Sequence, residues 1–414
     1  MIDSNILRNQ TDRVRESVVS RKASVDVDAL LRCDAEVRTL QSHVDELRHG
    51  LKSRSKGKPT DEERTELQRL SQEIKTKETE LATREHTRNE LLQMLPNLND
   101  SETPIGESEA DNVVVKIVGE QQHYDFQPKP YHELASVKPL LKCAEGVRTS
   151  GSRFYYLTGK LAQLQRAVFD IALEFITRDG FELIVPPILV RERAMFGTGH
   201  FPADRSEIYE VNPGDDNLFL VGTAEVPLVS LHDGETLSVN ELPKKYVAQT
   251  CCFRREAGSY GKDQAGILRV HQFQKIEMVA LTTPNESRAM HERIRALEEK
   301  IVSAFGLHFR VVDICTGDLG YPAARKWDIE AWFPSQQRFR ELTSTSNTTD
   351  FQTRRLNIGH TTVEGQRALV HSVNGTGVTD RLWLAILEQN QRADGAVVLP
   401  PLLSQVLGWD TLES

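Results

Sequence analysis

Residues 249–281 read "QTCCFRREAGSYGKDQAGILRVHQFQKIEMVAL". An apolar run stops at Arg254, Arg255 and Glu256, and a polar, glycine-containing stretch follows. The chain then returns to apolar character in "RVHQFQKIEMVAL" while still carrying Arg269, Lys275 and Glu277. This pattern predicts two strands joined as a hairpin. Side chains alternate along a strand with a period of two. Arg254 and Glu256 are therefore expected on one face, and Arg269, His271, Phe273, Lys275 and Glu277 also share a face. A sheet face built of arginines, acids and an aromatic ring makes a poor core but a suitable floor for an anionic, aromatic ligand. The planar fork of donors on arginine suits phosphate, and Phe273 is of the right kind to stack on a base.

The length of 414 residues suggests two or three domains. Hydrophobic residues make up 39% of the chain, enough for a sizeable core. The net charge of −9 means that a nucleic-acid partner has to be met by a local basic patch. No apolar run is long enough to span a membrane, and the N-terminus lacks the apolar core of a secretory signal. The five cysteines are odd in number and show no CxxC spacing, which fits reduced thiols in the cytoplasm rather than disulfides or a zinc site.

Residues 1–100 differ in pattern from the rest. Leu30, Cys33, Val37, Leu40, Val44, Leu47 and Leu51 step by three and four, as a heptad seam does. Leu67, Leu70, Ile74, Leu81, Leu91 and Leu95 form a second seam, with Gly57 and Pro59 as breakers between the two. Two long helices joined by a short turn run antiparallel. A helix of about 35 residues is about 50 Å long, so the pair is expected to project as an arm. Its tip carries Arg48, Lys52, Arg54, Lys56 and Lys58 with no acid between Glu46 and Asp61. Such a tip is either a phosphate-binding surface or an ordinary solvated helix end.

Residues 101–130 read as a linker that ends in an entry strand, "NVVVKIV". In residues 131–414, helices and strands alternate irregularly, with "WDIEAWFP" and "RFRELTSTSN" as paired strands. The expected class is α+β, built on an antiparallel sheet flanked by helices.

Together, "FRREAG" and "RVHQFQKIEM" resemble motif 2 of class II aminoacyl-tRNA synthetases in its seryl-tRNA synthetase form. "GTAEVPL", "RELTSTSNTTDFQTRR" and "HSVNGTG" before Arg381 (the motif 3 position) resemble further segments of that family, in the same order. The helix, turn and Pro186–Pro187 strand are similar to motif 1, the usual dimer element. The resemblance implies a serine–tRNA ligase that forms seryl-adenylate from L-serine and ATP. The seryl group then passes to tRNA(Ser), and to tRNA(Sec) where present. It implies Arg254 and Arg381 as catalytic residues, with ATP held by Arg254, Glu256, Arg269, Phe273, Glu341, Ser344 and Arg381. Mg2+ falls to Glu341 and Ser344, and serine to Thr223, Glu225, Arg254, Glu277, Asn374 and Thr376. The tRNA falls to the tip cations together with Arg84 and Arg88. A homodimer through residues 161–189 is also implied, since the helix there carries apolar residues on more than one face.

The chain departs from the family pattern in motif 3. Where the family reads like "NGSGLAVGRT", this chain reads "NGTGVTDRLW", one residue shorter, with Asp380 in place of a small residue. "ELTSTSN" lacks a common cysteine, and Arg255 stands where serine is common. These changes keep open a specialised or antibiotic-resistant paralog, or an inactive RNA-binding relative. The retained arginines and acids weigh against an inactive site, because buried charge is costly. A carrier-protein ligase is disfavoured by the full arm.

Overall fold

The computed structural model describes residues 1–55, 60–257 and 265–413. Lys56, Gly57, Lys58 and Pro59 lie outside the described residues, as does the centre of the hairpin loop. The chain forms two compact units, Met1–Leu98 and Asn99–Ser414.

In the first unit, short helices α1 (Ser4–Asn9) and α2 (Thr11–Ser20) precede the long helices α3 (Val27–Arg54) and α4 (Asp61–Gln93). Asp26 caps α3 by accepting from Ala29 N–H. Thr60 and Glu63 form a reciprocal capping box at the start of α4. The contacts Glu36–Arg84, Arg48–Glu78 and Arg54–Glu66 nest one inside the next, which makes the pair antiparallel. Val37, Val44 and Leu81 fill the seam, with Cys33 and Ile74 also buried, and Leu7, Val14, Val18, Leu30, Leu92 and Leu95 pack the short helices onto its base.

Asp34 interrupts this apolar seam and is 1% exposed. Arg8 grips its two oxygens at 2.6 and 2.8 Å, with Arg38 and Arg88 at 3.5 and 3.9 Å. The hydrogen bond from Arg8 holds the carboxyl below its usual range.

The second unit is built on an eight-stranded sheet. Its strands are β1 (Val113–Val118), β2 (Glu182–Leu183), β3 (Lys244–Phe253), β4 (Gln272–Thr282), β5 (Phe309–Asp313), β6 (Arg325–Phe333), β7 (Arg338–Thr349) and β8 (His371–Thr379). The order across the sheet is β1-β5-β6-β7-β8-β4-β3-β2, antiparallel throughout except for the parallel pair β2–β3. The segment expected as a linker belongs to this unit. Asp100 N–H and Thr103 Oγ1 both donate to Ala324 O at 2.9 Å, and β1 extends the sheet as an edge.

Helices α5 (Gly159–Arg178), α6 (Ser287–Ala304) and α7 (Asp380–Gln389) cover the sheet. The glycines of "NGTG" explain how closely they sit. A Cβ on Gly375 would come within 2.3 Å of Ile294 in α6, and one on Gly377 within 2.5 Å of Ile176 in α5. Among the described residues, no helix is long and apolar enough to cross a membrane. All five cysteines are free.

The residues expected to leave α5 with a surplus apolar face are used within the chain itself. Leu161, Leu164, Val168 and Ile171 are all buried in its core, and Leu173 and Phe175 pack against it only partly buried. The exposed apolar residues of this region lie after the helix, at Leu183, Val185 and Leu189.

Candidate active site

β4 answers the question its charges raise. Ile276, Met278 and Ala280 point into the main core, while Lys275 and Glu277 lie on the opposite face with Val279 and Leu281. One face of the strand is therefore core, and the other changes from apolar to charged along its length.

The hairpin's outer charges are not on regular strands. β3 ends at Phe253 and β4 starts at Gln272, so Arg254, Glu256, Arg269 and His271 lie in the flanking chain. Glu256 has φ of +53°, a left-handed backbone that takes it out of a ladder. The two sides stay joined nonetheless. Arg254 N–H donates to His271 O at 3.0 Å, and Arg269 Nη1 meets Glu256 Oε2 at 2.5 Å.

These residues frame a cavity with Arg254, Phe273, Glu341, Ser344 and Arg381 in its wall. The Arg254 guanidinium lies over the Phe273 ring, 5.3 Å from its centroid. In the same wall, Arg381 Nη1 donates to Glu341 O at 3.0 Å and reaches Glu341 Oε2 at 3.4 Å. Leu342 is an extra residue in β7 opposite the Ile329–Glu330 step. This bulge allows Glu341 and Ser344, three residues apart, to line the same cavity.

The Glu341 side chain is 44% exposed, facing the cavity. Its surroundings push its pKa up by desolvation, but Arg381, Lys326, Arg254 and Lys275 outweigh that and hold it below the usual value. A second hollow shares Arg269, Glu341 and Arg381 and holds the half-buried Lys326 paired with buried Asp328 at 3.0 Å. Burial pushes Asp328 up to about 7, against the pull of Lys326.

The polar floor next to it is neutralised internally. Glu277 is 1% exposed and meets Lys275 Nζ at 2.5 Å, and Thr376 Oγ1 donates to Glu277 Oε2 at 3.4 Å. Lys275 Nζ also donates to Thr223 Oγ1 at 3.0 Å. Burial raises the Glu277 pKa, and Lys275 opposes the shift. Nearby, Glu225 Oε1 accepts from Asn374 Nδ2 at 2.8 Å and from Gln352 Nε2 at 2.6 Å. The cavity and this floor can thus receive a polyanion with a planar ring next to a small polar, cationic group. Among the described residues, no set of three or more His, Cys, Asp or Glu side chains forms a ready metal cage.

Lys275, Gln352 and Asp380 join the site without having been singled out as ligand contacts. A lysine and an acid two residues apart in an apolar strand were the available sign for Lys275. Gln352 shows no such sign, because its partner Glu225 is distant in sequence. The departures in the motifs are also accommodated. Thr345, in the segment that lacks a common cysteine, is fully buried and donates to Asn374 O at 2.7 Å. Asp380 is buried with four hydrogen-bond donors around it. Of the arm cations, Arg48, Lys52, Arg54 and Arg84 are exposed, whereas Arg88 leans on Asp34 with 18% of its side chain open.

Comparison with known proteins places both units. The domain family described as "Seryl-tRNA synthetase N-terminal domain" matches residues 1–99. "tRNA synthetase class II core domain (G, H, P, S and T)" matches residues 208–390. The serine–tRNA ligase of Nocardia farcinica is 43% identical over 100% of this chain and 99% of its own length. That of Thermobifida fusca is 42% identical with the same coverage. Among solved structures, the seryl-tRNA synthetase of Pyrococcus horikoshii complexed with ATP superposes with a TM-score of 0.95 at 34% identity, covering 100% of this chain and 99% of the other. The cytoplasmic serine–tRNA ligase of Naegleria fowleri in complex with AMP gives 0.90 at 28% identity, with the same coverage.

Proposed function

The chain belongs to the seryl-tRNA synthetase family, and we infer from this membership that its reaction is serine–tRNA ligation. It is an ATP-binding enzyme that activates L-serine to seryl-adenylate, releases pyrophosphate, and transfers the seryl group to tRNA(Ser). Nothing found favours the specialised-paralog or inactive-relative readings.

The assignment of roles rests on the polar floor lying directly beside a guanidinium-lined cavity. In the first step a serine carboxylate oxygen attacks the α-phosphorus of ATP and pyrophosphate leaves in line. This chemistry needs charge neutralisation and positioning more than proton transfer. Arg254 is placed to take the α-phosphate, where negative charge builds. The adenine lies between Phe273 and Arg381, with Glu256 reading its amino group and Arg269 near the phosphates. Glu341 and Ser344 offer hard oxygen donors into the cavity and suit Mg2+ together with phosphate oxygens. The ion, when bound, neutralises phosphate charge.

The serine ammonium pairs with the carboxylates of Glu225 and Glu277, and the hydroxyl falls within reach of Thr223, Thr376 and Asn374. A buried polar floor rejects alanine because its own groups would be left unpaired. In the second step the terminal ribose hydroxyl of the tRNA attacks the seryl carbonyl carbon and AMP leaves.

The arm carries tRNA selection. Arg48, Lys52, Arg54, Lys56, Lys58 and Arg84 supply phosphate contacts, with the less exposed Arg88 beside them. Serine tRNA is present in the cytoplasm, which is where the enzyme is placed. Homodimerisation through residues 161–189 completes the reading. Charging of unfractionated tRNA with radiolabelled serine tests the function. Label is expected in serine isoacceptors, and label confined to other tRNAs would contradict it.

A further inference from the structure

Asp380 lies where the family pattern has a small residue, is 4% exposed, and has both side-chain oxygens engaged. Oδ1 accepts from Trp383 Nε1 at 2.8 Å and Gln165 Nε2 at 2.5 Å. Oδ2 accepts from Gln274 N–H at 3.0 Å and Tyr155 Oη at 3.1 Å. Four segments therefore meet on one carboxylate: the chain before α5, α5 itself, β4 and α7.

The bond from Gln274 is the informative one. β4 and β8 pair as far as Lys275 opposite Thr379. At the next residue the chain leaves β8 and enters α7, with Thr379 as its cap and Asp380 as its first residue. The carboxylate accepts the amide that another strand residue would have taken, and so adds one rung to the ladder. That rung sits between Phe273 and Lys275 on one side. On the other, Asp380 is joined covalently to Arg381, whose guanidinium is bonded to Glu341.

We propose that Asp380 is a positioning residue for the nucleotide, fixing the Phe273 ring and the Arg381 guanidinium at a set separation across the cavity before ATP arrives. The inference rests on the reading of Phe273 and Arg381 as the two sides of the adenine seat. It predicts an asymmetry between the substrates. None of the bonds to Asp380 comes from Thr223, Glu225, Glu277, Asn374 or Thr376, and Lys275, beside the rung, is held to Glu277 and Thr223 through its own ammonium, so the serine floor is expected to feel the smaller effect.

The test is ATP–pyrophosphate exchange by the full-length protein, with KM for ATP and for serine measured separately. Wild type, D380N, D380A and Q165M are compared, and melting temperatures serve as the folding control. D380N keeps the volume but turns an amide NH2 towards groups that are themselves donors. It is expected to raise KM for ATP at least fivefold and to leave KM for serine within twofold. Q165M removes one donor and keeps the carboxylate, and should shift KM for ATP in the same direction by less. If D380A does not fold, D380N and Q165M decide the matter. Equal shifts in both KM values, or no shift in either, overturn the positioning role alone. A wild-type protein without serine-dependent exchange overturns the functional reading and this inference with it.

Discussion

At the scale of single residues, the alternation along β4 was legible in the sequence, because a period of two needs only neighbouring residues to be seen. The left-handed turn at Glu256, the extra residue at Leu342 and the four bonds to Asp380 were not. Each depends on partners far away in the chain or on backbone geometry that a side-chain pattern does not encode. Glu277 gives the sharpest residue-scale prediction. Glu277→Gln keeps the shape and removes the charge opposite Lys275 and the serine ammonium. Loss of a charged partner in a buried site is worth about 3 kcal/mol, or roughly a hundredfold in kcat/KM for serine. Steady-state exchange kinetics check this, and a loss below about threefold would contradict it. Burial raises the folded-state pKa of Glu277 above its ordinary 4.5, so the carboxylate forms only above the usual glutamate range. KM for serine should therefore fall as pH rises through that raised value, and Glu277→Gln should flatten this limb of the profile.

At the scale of elements, the arm was readable because its helices are long and periodic, and the seam residues Leu30, Val37, Val44, Ile74 and Leu81 are buried as the heptads require. The heptads did not show what Asp34 does in that seam. Its folded-state pKa is depressed by Arg8, so its stabilising contribution is present above the ordinary carboxylate value of 3.8. That contribution is lost as pH falls through 3.8 towards the folded value. Asp34→Asn should cost the first unit about 2 kcal/mol near neutral pH and reduce the acid sensitivity of its helical signal. Circular dichroism against pH checks this. Replacing residues 36–84 by a short Gly/Ser turn spares Asp34, Arg8 and the apolar base at Leu7, Leu30 and Leu92. Serine-dependent exchange should survive this change and tRNA charging should be lost if, as proposed, phosphate contacts on the arm fix the position of the tRNA. Near-normal charging by the shortened protein would show that the arm does not select it.

At the scale of the whole molecule, the antiparallel sheet with flanking helices follows from the order of the elements, and the proposed assembly surface stays within residues 161–189, whose exposed apolar residues follow the helix. Most apolar residues of α5 are taken up by the core, with Leu173 and Phe175 partly open, and Leu183, Val185 and Leu189 are left exposed along and just beyond the edge strand β2. If copies of the chain meet there, Val185→Asp should convert a homodimer of about twice 46.8 kDa into a monomer in light scattering. An unchanged mass would place the interface elsewhere. The claim on which all of this depends is that the cavity and its polar floor form one site for ATP and serine. ATP–pyrophosphate exchange by the full-length protein across the twenty amino acids tests it most directly. Exchange with serine is expected to exceed that with alanine, glycine and threonine by at least a hundredfold; faster exchange with any other amino acid, or none with serine, would contradict the account.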